Sequence, residues 1–496
     1  METNIEAALG WLRRQAPRNL IGGAWRHPTG AQQRPMINPA NGARLNSVQS
    51  SSEGDVDDAV DAARHAFESD AWRGLERQQR AERLRGLASL IRSHREELAT
   101  LESLCCGKLF REAYHDDMAG AAEAFDYFAG WTNKLYGETC PVEGSSLNYT
   151  RYEPLGVCGL IVPWNWPLLM AAQKLAPALA MGNTVVIKPA PNTPLSLVRL
   201  LELAEEAALL PPGVVNIVQG GAAVGEALAR HARVDKLSFT GSTATGRKVL
   251  RSSADSNLKP VTLELGGKSP AIVFDDAPDL DAAIRNAAEV AYGHKGENCA
   301  QPSRLLVHES LMEPVCEGLV SQAEARRCGD PFDPTSDQGP QATEGQMMRV
   351  LAYVDGARAA GATPLCGGQR DERGGNQRGY FVRPTVFRDI DNAMTIAQEE
   401  VFGPVLLVMP FRTEDEAVAL ANDSVYGLCA GLWSRDIGRA HRVAGRLDAG
   451  VVFINEYGLY DAASPFGGFK QSGWGHELGR HALMTYTRLK SVWVKL

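Results

Sequence analysis

Between residues 155 and 240, short apolar runs alternate with longer segments whose apolar positions recur every three or four residues. The runs at 157–162, 184–187, 214–218 and 236–239 predict buried strands, and the segments at 169–181, 195–209 and 223–231 predict helices. Strands alternating with helices predict a parallel, doubly wound sheet, an α/β architecture that suits dinucleotide binding. The alternation resumes with a strand at 270–274, an alanine-rich helix at 280–291 and a strand at 304–307. Helices at 311–324 and 345–360 and strands at 383–387 and 404–408 follow.

The first 50 residues are rich in Pro, Gly, Asn and Gln, with a short strand candidate at 20–23. A helical pattern runs on from Asp55, and Leu84, Leu87, Leu90, Ile91, Leu98 and Leu101 mark a single apolar face. Residues 140–153 read as a β-ribbon leaving the body, and 491–496 as a second strand that pairs nearby. Trp493 on such an edge would be costly to leave exposed in a monomer, which predicts a homodimer or a homotetramer.

Composition narrows the function. The chain has 496 residues, enough for two or three domains. Its 51 basic and 59 acidic side chains give a net charge of −8 without long single-sign runs, which argues against nucleic acid or a membrane as partner. The longest apolar region, 155–182, is broken by Pro163, Asn165, Pro167, Lys174 and Pro177 and cannot span a bilayer. Nine scattered cysteines without a CxxC pair or a zinc-spaced Cys/His cluster suit reduced thiols in a cytoplasmic protein, and no metal site is expected.

The chemistry concentrates between Val261 and Val307. Glu264 opens a Glu-Leu-Gly-Gly-Lys turn, and Cys299 follows 35 positions later in Gly296-Glu297-Asn298-Cys299. A cysteine on a loop after a helix, brought back towards a glutamate, suggests a nucleophile and a base. Taken alone, Cys299 reads rather as a small buried residue, the usual fate of a free cysteine, and Glu264 reads also as a surface strand-end carboxylate; the pairing of the two motifs and the flanking Gly296 favour the chemical reading. Asn165, in Pro163-Trp164-Asn165-Trp166-Pro167, can donate to an oxyanion or simply cap a turn. The loop Phe239-Thr-Gly241-Ser242-Thr-Ala-Thr-Gly246 has GxxxxG spacing without the ending of a P-loop, and the GxGxxG fingerprint is absent.

The Leu-Glu-Leu-Gly-Gly-Lys motif, its spacing to Cys299 and Ser464-Pro-Phe-Gly-Gly-Phe-Lys-Gln-Ser-Gly473 resemble the NAD(P)-dependent aldehyde dehydrogenase superfamily over nearly the whole chain. The resemblance implies a doubly wound cofactor domain (1–135 and 154–261), an α/β catalytic domain (262–475), and an oligomerisation ribbon with a C-terminal strand (136–153 and 476–496). It implies that Cys299 attacks the aldehyde, that Asn165 holds the oxyanion and that Glu264 activates water, with Glu477 as a relay. It places Trp164, Gly241, Ser242, Lys188, Glu400 and Phe402 at the cofactor, Lys188 on the adenosine ribose, and Trp166, Tyr457 and Phe466 in the substrate tunnel.

Two departures from the pattern matter. Glu297 stands where a glutamine is usual, and an ionised carboxylate there predicts opposition to thiolate formation at Cys299. Pro191 stands where NAD-preferring members carry a glutamate that repels a 2′-phosphate, so NADP stands beside NAD as a possible cofactor. Aromatic residues Trp166, Tyr457, Tyr460 and Phe466, with Glu297, Glu456 and Asp461, predict an amino or quaternary ammonium aldehyde, and the spacing of Asn455, Tyr457 and Tyr460 is similar to that of betaine aldehyde and aminoaldehyde dehydrogenases. Gly293 replaces an aromatic cage residue of several such enzymes, and a neutral aliphatic or aromatic aldehyde is the alternative. A catalytically silent binding protein, an acyl transfer to coenzyme A and a thiol hydrolase are the remaining rivals. Glu264 argues against the acyl transfer, and the lack of a histidine at a motif position argues against the hydrolase.

Overall fold

The computed structural model describes residues 2–14 and 16–496; residues 1 and 15, within the N-terminal part of the expected cofactor domain, lie outside the described residues. The expected strands assemble into an eight-stranded sheet. Its order is Ala24–Arg26, Asn19–Ile21, Val215–Ile217, Thr184–Lys188, Val157–Ile161, Lys236–Thr240, Val261–Glu264 and Gly473–Trp474. The five strands from Val215–Ile217 to Val261–Glu264 are parallel. Val157–Ile161 and Thr184–Lys188 are buried at every position, as strands covered by helices on both faces must be, hence their unbroken apolar runs.

The helix after Val157–Ile161 starts at Pro167, earlier than the apolar spacing suggests, because proline fits the first helical position, where no N–H partner is needed. The single apolar face expected across 84–101 is two helices, Arg77–Ser93 and Arg95–Cys106, broken at His94. The apolar spacing survives the break because both pieces face one core, which takes in Leu84, Leu87, Ile91 and Leu98. Arg77–Ser93 packs on Met118–Ala129 and Pro167–Ala180, and Arg95–Cys106 on Leu195–Glu206.

A second, seven-stranded sheet runs Thr363–Cys366, Thr385–Arg388, Val405–Phe411, Arg304–His308, Pro270–Val273, Cys429–Trp433 and Val451–Ile454. All neighbours are parallel except the first pair. The strands expected at 383–387 and 404–408 begin just after Pro384 and Pro404, which have no N–H to give the ladder.

Ser146–Pro154 and Thr487–Lys495 form the expected ribbon, antiparallel from Pro154↔Thr487 to Ser146↔Lys495, with Thr139–Cys140 on the free edge of Ser146–Pro154. One short strand has no sequence signal. Gly473–Trp474 leaves the region near the second sheet and pairs antiparallel with Leu263 and Glu264 at the edge of the first. A side chain at Gly473 would put its Cβ 2.0 Å from the Leu263 carbonyl, at a φ of +124°, so only glycine allows this approach. This crossing carries Ser472 and Glu477 to the end of the Glu264 strand.

Candidate active site

A cleft of about 1320 Å³ brings together most of the residues singled out in the sequence: Trp164, Asn165, Trp166, Gly241, Ser242, Glu264, Cys299, Glu400, Phe402, Tyr457 and Phe466 all line it. Lys188 does not. Its ammonium is buried and donates to the carbonyls of Pro189 and Gly220, at 2.8 and 3.2 Å.

Cys299 sits half-buried just past a strained turn, with His294, Lys295 and Gly296 in the left-handed region at φ of 48°, 63° and 73°. The strain is held from several sides. The His294 N–H donates to Glu112 at 3.1 Å, and the Lys295 ammonium donates to the Cys106 carbonyl at 2.6 Å. Gln341 donates to the Lys295 carbonyl at 3.0 Å. A Cβ on Gly296 would meet the Gly403 carbonyl at 2.2 Å.

Glu297 does not face the thiol, contrary to expectation. The left-handed turn aims its carboxylate inward, where it pairs with Lys295 at 2.8 Å and accepts the Ala342 N–H at 2.9 Å. Glu297 therefore contributes no acid to the tunnel either. Glu456 also lies outside the lining and accepts from Asn286 at 2.6 Å, whereas Asp461 does line the cleft. The thiol is nevertheless held protonated at rest: burial first, then the carboxylates of Glu400 and Glu264, push it up to about 12.

The two glycines of the Leu-Glu-Leu-Gly-Gly-Lys turn each make room for one half of the site. A Cβ on Gly267 would lie 2.3 Å from the Cys299 carbonyl, and one on Gly266 would lie 2.5 Å from a Glu400 oxygen. The Glu400 carboxylate accepts the Gly267 N–H at 3.1 Å, and burial pushes it up to about 7. Phe402, at φ 59°, is pinned by Gln346, which donates to its carbonyl at 2.7 Å, and its ring meets Trp164 edge-on at 5.3 Å. Ser242 caps the Thr243–Ala254 helix by accepting the Thr245 N–H, so the helix N-terminus opens beside Gly241.

Glu264 is buried at the end of its strand, with one carboxylate oxygen lacking any partner among the described residues. This excludes a solvated strand-end carboxylate. Burial, reinforced by Glu477 and only partly opposed by Lys174, holds its carboxyl well above the usual range. Asn165 is buried and donates to the Glu297 carbonyl at 2.9 Å, next to the Cys299 segment.

Sequence reasoning missed two further members. Lys174 donates to Glu477 at 2.5 Å and to Ser238 at 2.9 Å, and Ser238 also donates to Glu477, at 3.2 Å. Its signal is a single cation in the otherwise apolar Pro167–Ala180 helix. His294 accepts from the Trp166 indole at 3.3 Å, with the two ring centres 4.5 Å apart. Along the same wall Tyr457 donates to the Ala300 carbonyl at 2.9 Å, and Phe466 packs 5.8 Å from Tyr460.

The cleft fits a dinucleotide. Beyond the thiol, an open helix N-terminus suits phosphates, a carboxyl fixed on a backbone N–H suits ribose hydroxyls, and the Phe402–Trp164 pair suits a flat ring. A half-buried thiol beside such a cleft suits an enzyme that works with a dinucleotide.

The chain belongs to the aldehyde dehydrogenase family, whose model matches residues 25–492. It is similar to human retinal dehydrogenase 2, with 45% identity over 96% of this chain and 91% of the relative. Among solved structures it is similar to the NAD+ complex of an aldehyde dehydrogenase from Bacillus cereus, with 45% identity, a TM-score of 0.95, and 99% and 98% of the two chains covered. A betaine aldehyde dehydrogenase from Staphylococcus aureus in complex with NAD+ shows 39% identity and a TM-score of 0.96 over 99% and 97% of the chains. The protein is thus an NAD(P)-dependent aldehyde dehydrogenase that oxidises an aldehyde to the carboxylic acid. Among the described residues, no helix is long and apolar enough to cross a membrane.

Proposed function

We propose that Cys299 is the nucleophile of this oxidation, that Asn165 and the Cys299 N–H bind the oxyanion, and that Glu264 is the base for thioester hydrolysis. The observation that carries this reading is the convergence of all three on one cleft, next to Glu400 and Phe402. Loss of the Cys299 proton to water gives the thiolate that attacks the carbonyl, and the oxyanion of the resulting thiohemiacetal can be stabilised by the Asn165 amide after it exchanges its bond to the Glu297 carbonyl. When bound, the nicotinamide ring supplies the hydride acceptor. Glu264, whose raised pKa makes it a stronger base than an ordinary carboxylate, takes a proton from the water that cleaves the thioester. Glu477, which lines the same cleft and accepts from Lys174 and Ser238, is the relay we assign to that proton.

The substrate class we propose is an aldehyde with an amine or quaternary ammonium tail. Rings of Trp166, Tyr460 and Phe466 line the cleft, and so do Asp116, Glu123 and Glu289, which have no ion-pair partner among the described residues. The three lining guanidiniums are engaged elsewhere: Arg111 pairs with Asp337, Arg326 donates to the Asp337 carbonyl and stacks on Tyr292, and Arg349 donates to the Glu400 carbonyl and stacks on Tyr353. A cation over such rings gains about 0.5–2 kcal/mol. A neutral, bulky aldehyde is the second reading, favoured by Met170 and Leu459 on the same wall and by the inward turn of Glu297. Cofactor reduction with betaine aldehyde, 3-aminopropanal, hexanal and benzaldehyde decides between them. We expect kcat/KM for a cationic aldehyde to exceed that of the neutral ones about tenfold, with KM rising in salt; the reverse order selects the neutral reading.

We also propose that two copies join through the ribbon, as a dimer or a tetramer of dimers, because Leu147, Leu489 and Trp493 stay exposed on it, Trp493 by 64%. Sedimentation velocity is expected to show a dimer or tetramer, and a single 53.6 kDa species would contradict the proposal. Nine free thiols favour a reducing, cytoplasmic setting.

A further inference from the structure

The charged residues closest to Cys299 along the chain, Lys295 and Glu297, both lie outside the cleft lining. Their side chains are 2% and 0% exposed, and their charged groups meet at 2.8 Å beneath the left-handed turn. Each also grips a helix end. The Lys295 ammonium donates at 2.6 Å to the carbonyl of Cys106, the last residue of the Arg95–Cys106 helix, where a cation is favoured. One Glu297 oxygen accepts the Ala342 N–H at 2.9 Å, just before the Glu344–Ala359 helix, whose N-terminal end favours an anion. That helix carries Gln346 and Arg349, which donate to the carbonyls of Phe402 and Glu400 at 2.7 and 2.9 Å. Between the two grips, the Glu297 carbonyl receives the Asn165 amide at 2.9 Å.

The pair thus ties the nucleophile turn to the oxyanion amide and to the helix that holds the cofactor segment. A neutral glutamine, the usual residue at this position in the family, can accept the same N–H, so the position itself needs no charge. The charge of Glu297, however, needs a partner. Burial pushes its carboxyl up, and Lys295 is the first group that opposes this. The other ionisable groups packed nearby have partners of their own. Lys108 pairs with Asp117 and Glu102, and Glu112 accepts the N–H groups of Leu109 and His294. Removing one member of a buried pair strands the other charge, whereas replacing both by neutral groups does not.

We propose that Lys295 and Glu297 act as one positioning unit, a charge-balanced clamp that fixes the Cys299 turn and the carbonyl on which the Asn165 amide rests. The proposal rests on the reading of Cys299 as nucleophile and Asn165 as oxyanion donor. Neither member of the clamp touches the reactants. Lys295 supplies the countercharge that keeps a carboxylate two positions from the thiol turned away from it.

The full-length variants Glu297→Gln, Lys295→Gln and the double Lys295→Gln/Glu297→Gln test the clamp. Each single change is expected to slow cofactor reduction about tenfold or more in a single turnover, with enzyme in excess over aldehyde and NAD+ saturating, while NAD+ affinity stays within about threefold. The double variant should recover to within about threefold of the wild type. Iodoacetamide labelling of Cys299 at pH 7 should be faster in Glu297→Gln, which strands a cation, than in Lys295→Gln, with the double between them. A merely loosened turn would not order the variants by the sign of the stranded charge. Equal losses in all three variants, or a wild-type rate in Glu297→Gln, overturn the clamp while leaving the nucleophile standing. If a single variant fails to fold, the double decides alone: a rate near that of the wild type supports the pair, and a lost rate in folded protein overturns it. Persistent turnover in Cys299→Ala would instead sink the mechanism on which the clamp rests.

Discussion

Replacing Cys299 with alanine is expected to lower kcat for aldehyde oxidation by about 10⁴-fold or more while leaving dinucleotide binding in place. No other thiol can take over. Residue 300 is alanine, and Cys429, the nearest candidate on the second sheet, is buried within its strand. The groups placed for the dinucleotide hold themselves without the thiol: Glu400 rests on the Gly267 N–H, and Phe402 is pinned by Gln346. Loss of turnover with retained NAD+ quenching of tryptophan fluorescence is the expected pair of results, and residual turnover near the wild-type rate would remove Cys299 from the mechanism. The wild-type thiol carries its own test of electrostatics. Its pKa is pushed up to about 12 in the absence of cofactor, so the reactive thiolate is scarce at neutral pH and grows about tenfold per pH unit. Iodoacetamide labelling of Cys299 should therefore be slow at pH 7 and climb steadily to pH 9. A plateau between pH 7 and 8 would mean that the resting thiolate is already formed.

Glu264→Gln separates the two halves of the reaction. Attack and oxidation use Cys299 and Asn165, so the first turnover should persist as a burst of reduced cofactor close to one per site. Hydrolysis needs the base, and steady-state turnover should fall by about 10²–10⁴-fold. Linear kinetics without a burst, at the wild-type rate, would show that water is activated elsewhere. The same substitution has a stability signature with a definite sign. The Glu264 carboxyl titrates near its ordinary value of 4.5 in the unfolded chain and well above it in the folded one. Above pH 4.5 the unfolded chain therefore releases a proton that the folded one retains, and stability falls as pH rises towards the folded pKa. Glutamine removes that loss, so the variant should melt at or above the wild-type temperature at pH 7, as expected where function is built at the expense of stability.

Much of this was legible from residue pattern because the pattern and the packing share a cause. The unbroken apolar runs at 157–162 and 184–187 are strands of a sheet covered on both faces, and Asn165, Glu264 and Cys299 stand where chain segments leave such strands or return to them. Other features leave no trace in periodicity. The Lys295–Glu297 pair is invisible in a helix reading, where neighbours two apart do not face each other; three consecutive left-handed residues turn the two side chains towards each other. Gly473–Trp474 is too short to register as a strand, and its role depends on a backbone approach that only the fold reveals. The break at His94 hides because both helices face one core and the apolar spacing continues through it.

The proposed mechanism runs through a covalent acyl intermediate on Cys299 that Glu264 releases. The direct test is the intact mass of Glu264→Gln after mixing with NAD+ and a turned-over aldehyde, followed by peptide mapping. The account predicts a mass increase equal to the acyl group, located on the peptide containing Cys299 and absent when that cysteine is also replaced. An unmodified protein that has nonetheless released one equivalent of reduced cofactor and free acid, or an adduct on any other residue, would contradict it.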